Sequence, residues 1–222
     1  MSTTADNDAK TEAKAAILAR IRGALQDAPA VPEVQRTYRR SSQRPAAEVL
    51  EMLEDRLVDY RAAVHHESPA TAPGRIAALL GRSARYVVPE GLDPSWLPED
   101  DGGRQRIVES RDERLGSVLT VRELNAVDAV VTSSTVSCAE TGTIFLSGRP
   151  DEGRRAISLV PDHHICLVPA GSVVELVPEA LARVEPTAPI TMISGPSATS
   201  DIELERVEGV HGPRRLDVIL LS

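Results

Sequence analysis

The chain has 222 residues, enough for one or two domains, and 25 Lys and Arg against 33 Asp and Glu give a net charge of −8. With 41% hydrophobic and 26% charged residues it is expected to be a soluble globular protein with the side chains for a real core. One Phe, one Trp and three Tyr exclude an aromatic platform for single-stranded nucleic acid, and the acidic balance excludes wholesale binding to nucleic acid or anionic membranes.

The N-terminal stretch predicts a helix over Thr11 to Leu25, with Ile17, Leu18, Ile21 and Leu25 on one face. Asp27 to Arg44, with Pro29, Pro32 and several arginines, reads as an extended linker. Residues 1–44 carry a net +3, against −11 for the rest. This divides the chain into an N-terminal helix and linker (1–44) and an α/β domain (45–222). A second helix is expected over Ala46 to Val64, closed by His65 and His66, and a third over Pro73 to Leu80, stopped by Gly81. Arg85 to Val88 suits a strand and Pro89 to Gly103 a loop, in which Trp96 is a packing anchor. Thr120 and Glu123 have capping-box spacing before a short helix. Strands are expected at Asp128 to Thr132, Thr143 to Leu146, Ile157 to Val160, Ile165 to Val168, Pro189 to Ser194 and Leu216 to Leu221. Ser172 and Glu175 are expected to open a helix toward Val184. Continuous apolar strands interleaved with helices make an α/β fold with a mostly parallel sheet flanked by helices.

No apolar run reaches the roughly 18 residues of a membrane span, and the N-terminus lacks a signal-peptide core. Cys138 and Cys166, 28 residues apart, cannot form a four-thiolate cluster and are expected to be reduced and buried. The expected location is cytoplasmic. No G-x-G-x-x-G follows a candidate strand, so the chain has no dinucleotide motif of its own.

Three segments combine glycine, hydroxyl and charged residues. In Glu140-Thr141-Gly142-Thr143, Glu140 is a candidate base or covalent nucleophile, and Gly142 permits close backbone approach. In Gly195-Pro196-Ser197-Ala198-Thr199-Ser200-Asp201-Ile202-Glu203, the hydroxyls suit N-caps of a helix near Asp201. Either an anion occupies that helix start, or Asp201 and Glu203 complement its dipole themselves. In Gly209-Val210-His211-Gly212-Pro213, His211 is the best acid–base candidate among the five histidines. His163 and His164 are adjacent, so on a strand they face opposite ways; no metal site is assigned to them.

These three segments, in this order, resemble the LUD domain family and, within it, the lactate utilisation protein C (LutC/YkgG) family. The resemblance covers most of the chain and is tightest from Asp128 onward. It implies a fold similar to the ribose-5-phosphate isomerase, glucosamine-6-phosphate deaminase and CoA-transferase superfamily. It also implies work with the iron–sulfur proteins of a lactate utilisation operon, oxidising L-lactate to pyruvate. The family's site would fall on Glu140, Thr141, Gly142, Thr143, Ser197, Thr199, Asp201, Glu203, His211 and Gly212, around a small anionic metabolite. With no cluster motif in this chain, the redox centres would lie in the partners. Two other readings stand beside this one. The first is a stand-alone CoA-transferase-like or sugar-phosphate enzyme using Glu140; the second is a non-catalytic assembly or regulatory subunit docking through residues 1–44.

Overall fold

The structure, a computed structural model, describes residues 3–26, 33–82, 84–99, 102–112, 114, 116–199, 207–208 and 212–222. The chain separates into two compact units, Met1–Tyr38 and Arg39–Ser222. The first contains α1 (Thr3–Ala24), whose Ile17, Leu18 and Ile21 are exposed, as is Leu25 just beyond it.

The second unit runs in chain order through α2 (Ala46–Asp59), β1 (Ala63–Glu67), α3 (Ala72–Leu80), β2 (Arg85–Pro89), β3 (Gln105–Glu109) and α4 (Val121–Leu124). It continues with β4 (Ala129–Thr132), β5 (Val136–Cys138), β6 (Thr143–Leu146), β7 (His163–Pro169), β8 (Val173–Val174) and α5 (Val177–Leu181). The last strands are β9 (Thr191–Ile193), β10 (Ala198–Thr199), β11 (Val207–Glu208) and β12 (Arg215–Leu221).

Six strands form a sheet in the order β1-β12-β7-β4-β2-β3, and every pairing in it is parallel. A parallel sheet is covered on both faces, which accounts for its near-continuous apolar strands. One face, with Cys166, Val168, Val218 and Leu220, meets Val49, Leu53 and Leu57 of α2 and Ile144 and Leu146 of β6. The opposite face, with Tyr86, Val131, Ile165, Leu167 and Ile219, is closed by Ala72 and Ile76 of α3 together with Leu92 and Leu97; Trp96 packs against this cluster. A second sheet, β8-β5-β6-β9, is antiparallel except at β5–β8. Alternation along β6 sends Phe145 to the far side, where it packs with Val136, Cys138, Val174 and Ala180. The chain is therefore an α/β protein with a parallel sheet flanked by helices. Among the described residues, no helix is long and apolar enough to cross a membrane.

Four local expectations are corrected. Helix α2 stops at Asp59 rather than Val64. Its end is a Schellman-type cap: Ala62 N–H donates to Leu57 O at 2.9 Å and Arg61 N–H to Val58 O at 2.8 Å, with Arg61 at φ +68°. His65 and His66 accordingly lie in β1, not at a helix end. Residues Arg155–Ser158 form a 3-10 turn instead of a strand, because buried Ile157 anchors a tight reversal to the β2–β4 side of the core. Glu175 caps no helix. Ser172 turns back to Pro169 O at 2.7 Å, and α5 begins later, with Glu179 accepting the Leu176 N–H at 2.9 Å. By contrast, Thr120 and Glu123 form the expected capping box ahead of α4.

Candidate functional site

Two of the three segments meet at one cavity. Ser194, Gly195, Pro196 and Ser197 follow β9, while Gly212 and Pro213 precede β12; together they line a space of about 210 Å³. Ser197 N–H donates to Pro213 O at 2.8 Å, which ties the two segments together. A Cβ on Gly212 would lie 3.6 Å from Ser197 Cβ, so the two loops are in direct contact. The third segment arrives through hydroxyls. Thr143 Oγ1 is 2.9 Å from Ser194 Oγ and 2.8 Å from Thr141 Oγ1, and β6 pairs with β9 beside them.

The motif glycines are explained by packing. Gly142 and Gly195 have φ of +59° and +85°, in the left-handed region. A Cβ on Gly142 would sit 2.7 Å from Arg56 Cβ, and one on Gly195 would sit 2.6 Å from Tyr60 Cβ. Both turns are pressed against the last turn of α2 and the residue after it, which seats the β9 loop over the sheet.

The other candidates are placed as follows. Glu140 does not line the cavity; its carboxylate is taken by Arg39 at 2.5 Å. Thr199 lies in β10, paired antiparallel with Val207 of β11. Asp201, Glu203 and His211 lie outside the described residues, as does any helix start at Asp201.

The titratable side chain on the cavity wall among the described residues is His164, which sequence reasoning passed over. It and His163 do face opposite sides of the sheet. His163 bonds Asp217 Oδ2 at 2.7 Å, while His164 Nε2 lies 2.8 Å from Thr132 Oγ1. His164 is fully buried, and its Nδ1 has no hydrogen-bond partner among the described residues. Burial, helped by the neighbouring charge of His163, lowers its pKa to about 3, so the imidazole is neutral.

The surrounding contacts favour one tautomer. The Ser133 carbonyl can only accept, and Cys166 Sγ reaches it at 3.9 Å as the donor. The Thr132 hydroxyl reaches the sulfur at 4.0 Å, and a hydroxyl directed there leaves Thr132 Oγ1 to accept the His164 Nε2–H. The thiol stays protonated, because burial pushes Cys166 up to about 12. In that tautomer Nδ1 carries a lone pair, buried within a side chain that lines the cavity. The signal in the sequence was the His163-His164 pair opening an apolar strand, since one of two such neighbours must face the buried layer.

On the opposite face, fully buried Asp217 accepts from His65 at 2.7 Å, His163 at 2.7 Å and Arg215 at 2.8 Å. Its burial opposes ionisation, but the hydrogen bonds from the two histidines and the Arg215 charge hold it down at about 2. This cluster fixes His163, and hence the register that presents His164 to the cavity. Among the described residues, no three His, Cys, Asp or Glu side chains are grouped to hold a metal ion.

Residues 102–221, which contain all three segments, match the LUD domain family. The chain is 45% identical over 215 residues to Lactate utilization protein C of Deinococcus radiodurans, covering 95% of this chain and 96% of that protein. The protein of the same name in Bacillus licheniformis is 34% identical over 168 residues, 65% of this chain and 68% of its own. A crystal structure of a DUF162 family protein from Deinococcus radiodurans is similar at a TM-score of 0.66 and 40% identity, covering 81% of this chain and 99% of that one. With a matched domain over more than half its length and a close relative over nearly all of it, this chain belongs to the LUD domain family.

Proposed function

We propose that the chain serves lactate utilisation by holding a small hydroxy acid in the cavity between β9 and β12, as a subunit of a cytoplasmic L-lactate-oxidising assembly. The observation that carries this reading is the unpartnered Nδ1 of fully buried His164 on the cavity wall. A neutral imidazole with a free lone pair accepts a hydrogen bond from an alcohol O–H. The glycine-rich turns and the Ser194 and Ser197 hydroxyls supply polar groups for a carboxylate. The names borne by the relatives support lactate as the acid.

Oxidation of the alcohol to a ketone releases two electrons and two protons. His164, held near pKa 3, is a poor proton acceptor and serves to orient the hydroxyl. His211, next in sequence to cavity-lining Gly212, is assigned the hydroxyl proton, and the C2 hydrogen leaves as the second proton with the two electrons to the partner proteins. The electrons pass to iron–sulfur partner proteins, since two buried cysteines do not make a cluster.

The purified chain, titrated with L-lactate and with pyruvate, is expected to show saturable thermal stabilisation that favours the hydroxy acid, because pyruvate has no hydroxyl to donate. His164→Leu removes the acceptor and is expected to abolish that preference, and His211→Ala to abolish lactate-dependent growth without loss of binding. Equal stabilisation by both acids, unchanged in the His164 variant, would overturn the reading.

A further inference from the structure

The hydroxy-acid cavity adjoins a second one. Ser158 and Thr191 line both, and the second space measures about 120 Å³. Its wall carries Arg111, Arg154 and Arg155, a cationic concentration in a chain of net charge −8. Arg154 is neutralised from behind by buried Glu109, whose Oε1 accepts from its Nε at 2.9 Å. The Arg111 and Arg155 guanidiniums form no hydrogen bond or ion pair among the described residues.

The acidic group on this wall is spent on structure. Buried Glu152 accepts the N–H groups of Ser147 and Arg149 at 2.8 and 2.9 Å and the Thr135 hydroxyl. It thereby shapes the turn from Gly148 to Gly153, two glycines at φ +71° and +70°. A Cβ on Gly148 would stand 3.6 Å from the Arg111 guanidinium, so the glycine keeps the wall beside that group open.

We infer that this second cavity is an anion subsite that takes a phosphate group between the Arg111 and Arg155 guanidiniums. Planar guanidinium forks match phosphate oxygens, and two forks on one wall supply the charge that a dianion requires. The phosphate is either free or the ester of a small molecule. The assignment stands independently of which acid occupies the first cavity.

The test is calorimetric titration of the full chain with inorganic phosphate and with 2-phosphoglycolate, a phosphate ester that also carries a carboxylate. Saturable binding is expected for at least one of them, weakened roughly tenfold by each of Arg111→Gln and Arg155→Gln. The charge-matched variant Arg106→Gln, altered outside this wall, is expected to bind as the parent does. Tighter binding of phosphoglycolate assigns the site to an ester; equal or tighter binding of inorganic phosphate assigns it to the free ion. No saturable binding of either probe overturns the proposal, as does equal weakening by the charge-matched control. Lactate titrations run on the same variants separate this outcome from failure of the hydroxy-acid reading, because neither arginine lines the first cavity.

Discussion

Arg39 and Glu140, 101 residues apart in sequence, are joined by an ion pair of 2.5 Å. The pair is one clasp of a strap. Ser42 N–H donates to Glu179 at 2.9 Å, and the Ser42 hydroxyl, Arg39 and Arg44 all engage Glu175. The Ser42 hydrogen bond, aided by the two arginines, keeps the Glu175 carboxyl below its ordinary range. Residues 39–44 are thus fastened over the start of α5 and the loop after β5. Both ends of the Arg39–Glu140 pair are largely exposed, at 65% and 46%, so solvent screening limits its contribution to less than about 1 kcal/mol.

Glu140→Gln is therefore expected to leave urea stability within about 1 kcal/mol of the parent and to preserve lactate-dependent growth. If Glu140 were a covalent nucleophile, the same variant would lose growth altogether. A growth assay beside a denaturation curve separates the two.

His164 makes stability depend on acid. Its folded pKa of about 3 lies below the value of about 6.5 in an unfolded chain, so between these pH values the unfolded state binds more protons. The stabilisation is complete above pH 6.5 and declines as pH falls toward 3, with a slope of about 1.4 kcal/mol per pH unit from this one residue. Urea denaturation at pH 7, 5.5 and 4 is expected to show a slope that His164→Gln flattens by about that amount. Nitrogen NMR is expected to find the proton on Nε2 at neutral pH.

The fold was legible where the pattern was long and apolar. β4, β6, β7 and β12 carry continuous apolar runs, because strands covered on both faces need no alternation. The end of α2 was not legible: its left-handed cap is Arg61, where a sequence reader waits for glycine. Two edge strands were also missed. β1 and β3 have mixed burial, and β3 sits behind the Pro- and Gly-rich loop. The segments around Ser197 and Gly212, which line one cavity, were legible as turns because they follow and precede apolar strands. For His164 the paired histidines opening β7 were legible, but its contact with Thr132 was not, because Thr132 lies on a neighbouring strand 32 residues away.

Asp217 is expected to be a keystone of stability. Replacing it with Asn removes the charge that binds Arg215, His163 and His65, at a cost of about 3 kcal/mol at pH 7. Its folded pKa is depressed, so in the parent this contribution is present above pH 4 and is lost as pH falls toward about 2. The Asn variant should show a weaker loss over that acid window. A midpoint unchanged at pH 7 would mean that the buried cluster contributes nothing net.

The two glycines at the cavity are expected to respond in opposite ways to the same substitution. Gly195→Ala forces a side chain into left-handed backbone at φ +85° and places a Cβ 2.6 Å from Tyr60 Cβ and 2.8 Å from its carbonyl oxygen. Backbone must move, and a loss of about 2 kcal/mol or more follows. Gly212→Ala meets Ser197 at 3.6 Å and Leu159 at 3.8 Å, which are ordinary contacts, so stability should stay within about 0.5 kcal/mol. The added methyl narrows the cavity where Ser197 and Gly212 face each other, and lactate binding should weaken while the melting temperature holds. Calorimetric titration and thermal melting of both variants read the split. A Gly212 variant as unstable as the Gly195 variant would show that the β9 and β12 loops pack more tightly than the open cavity requires.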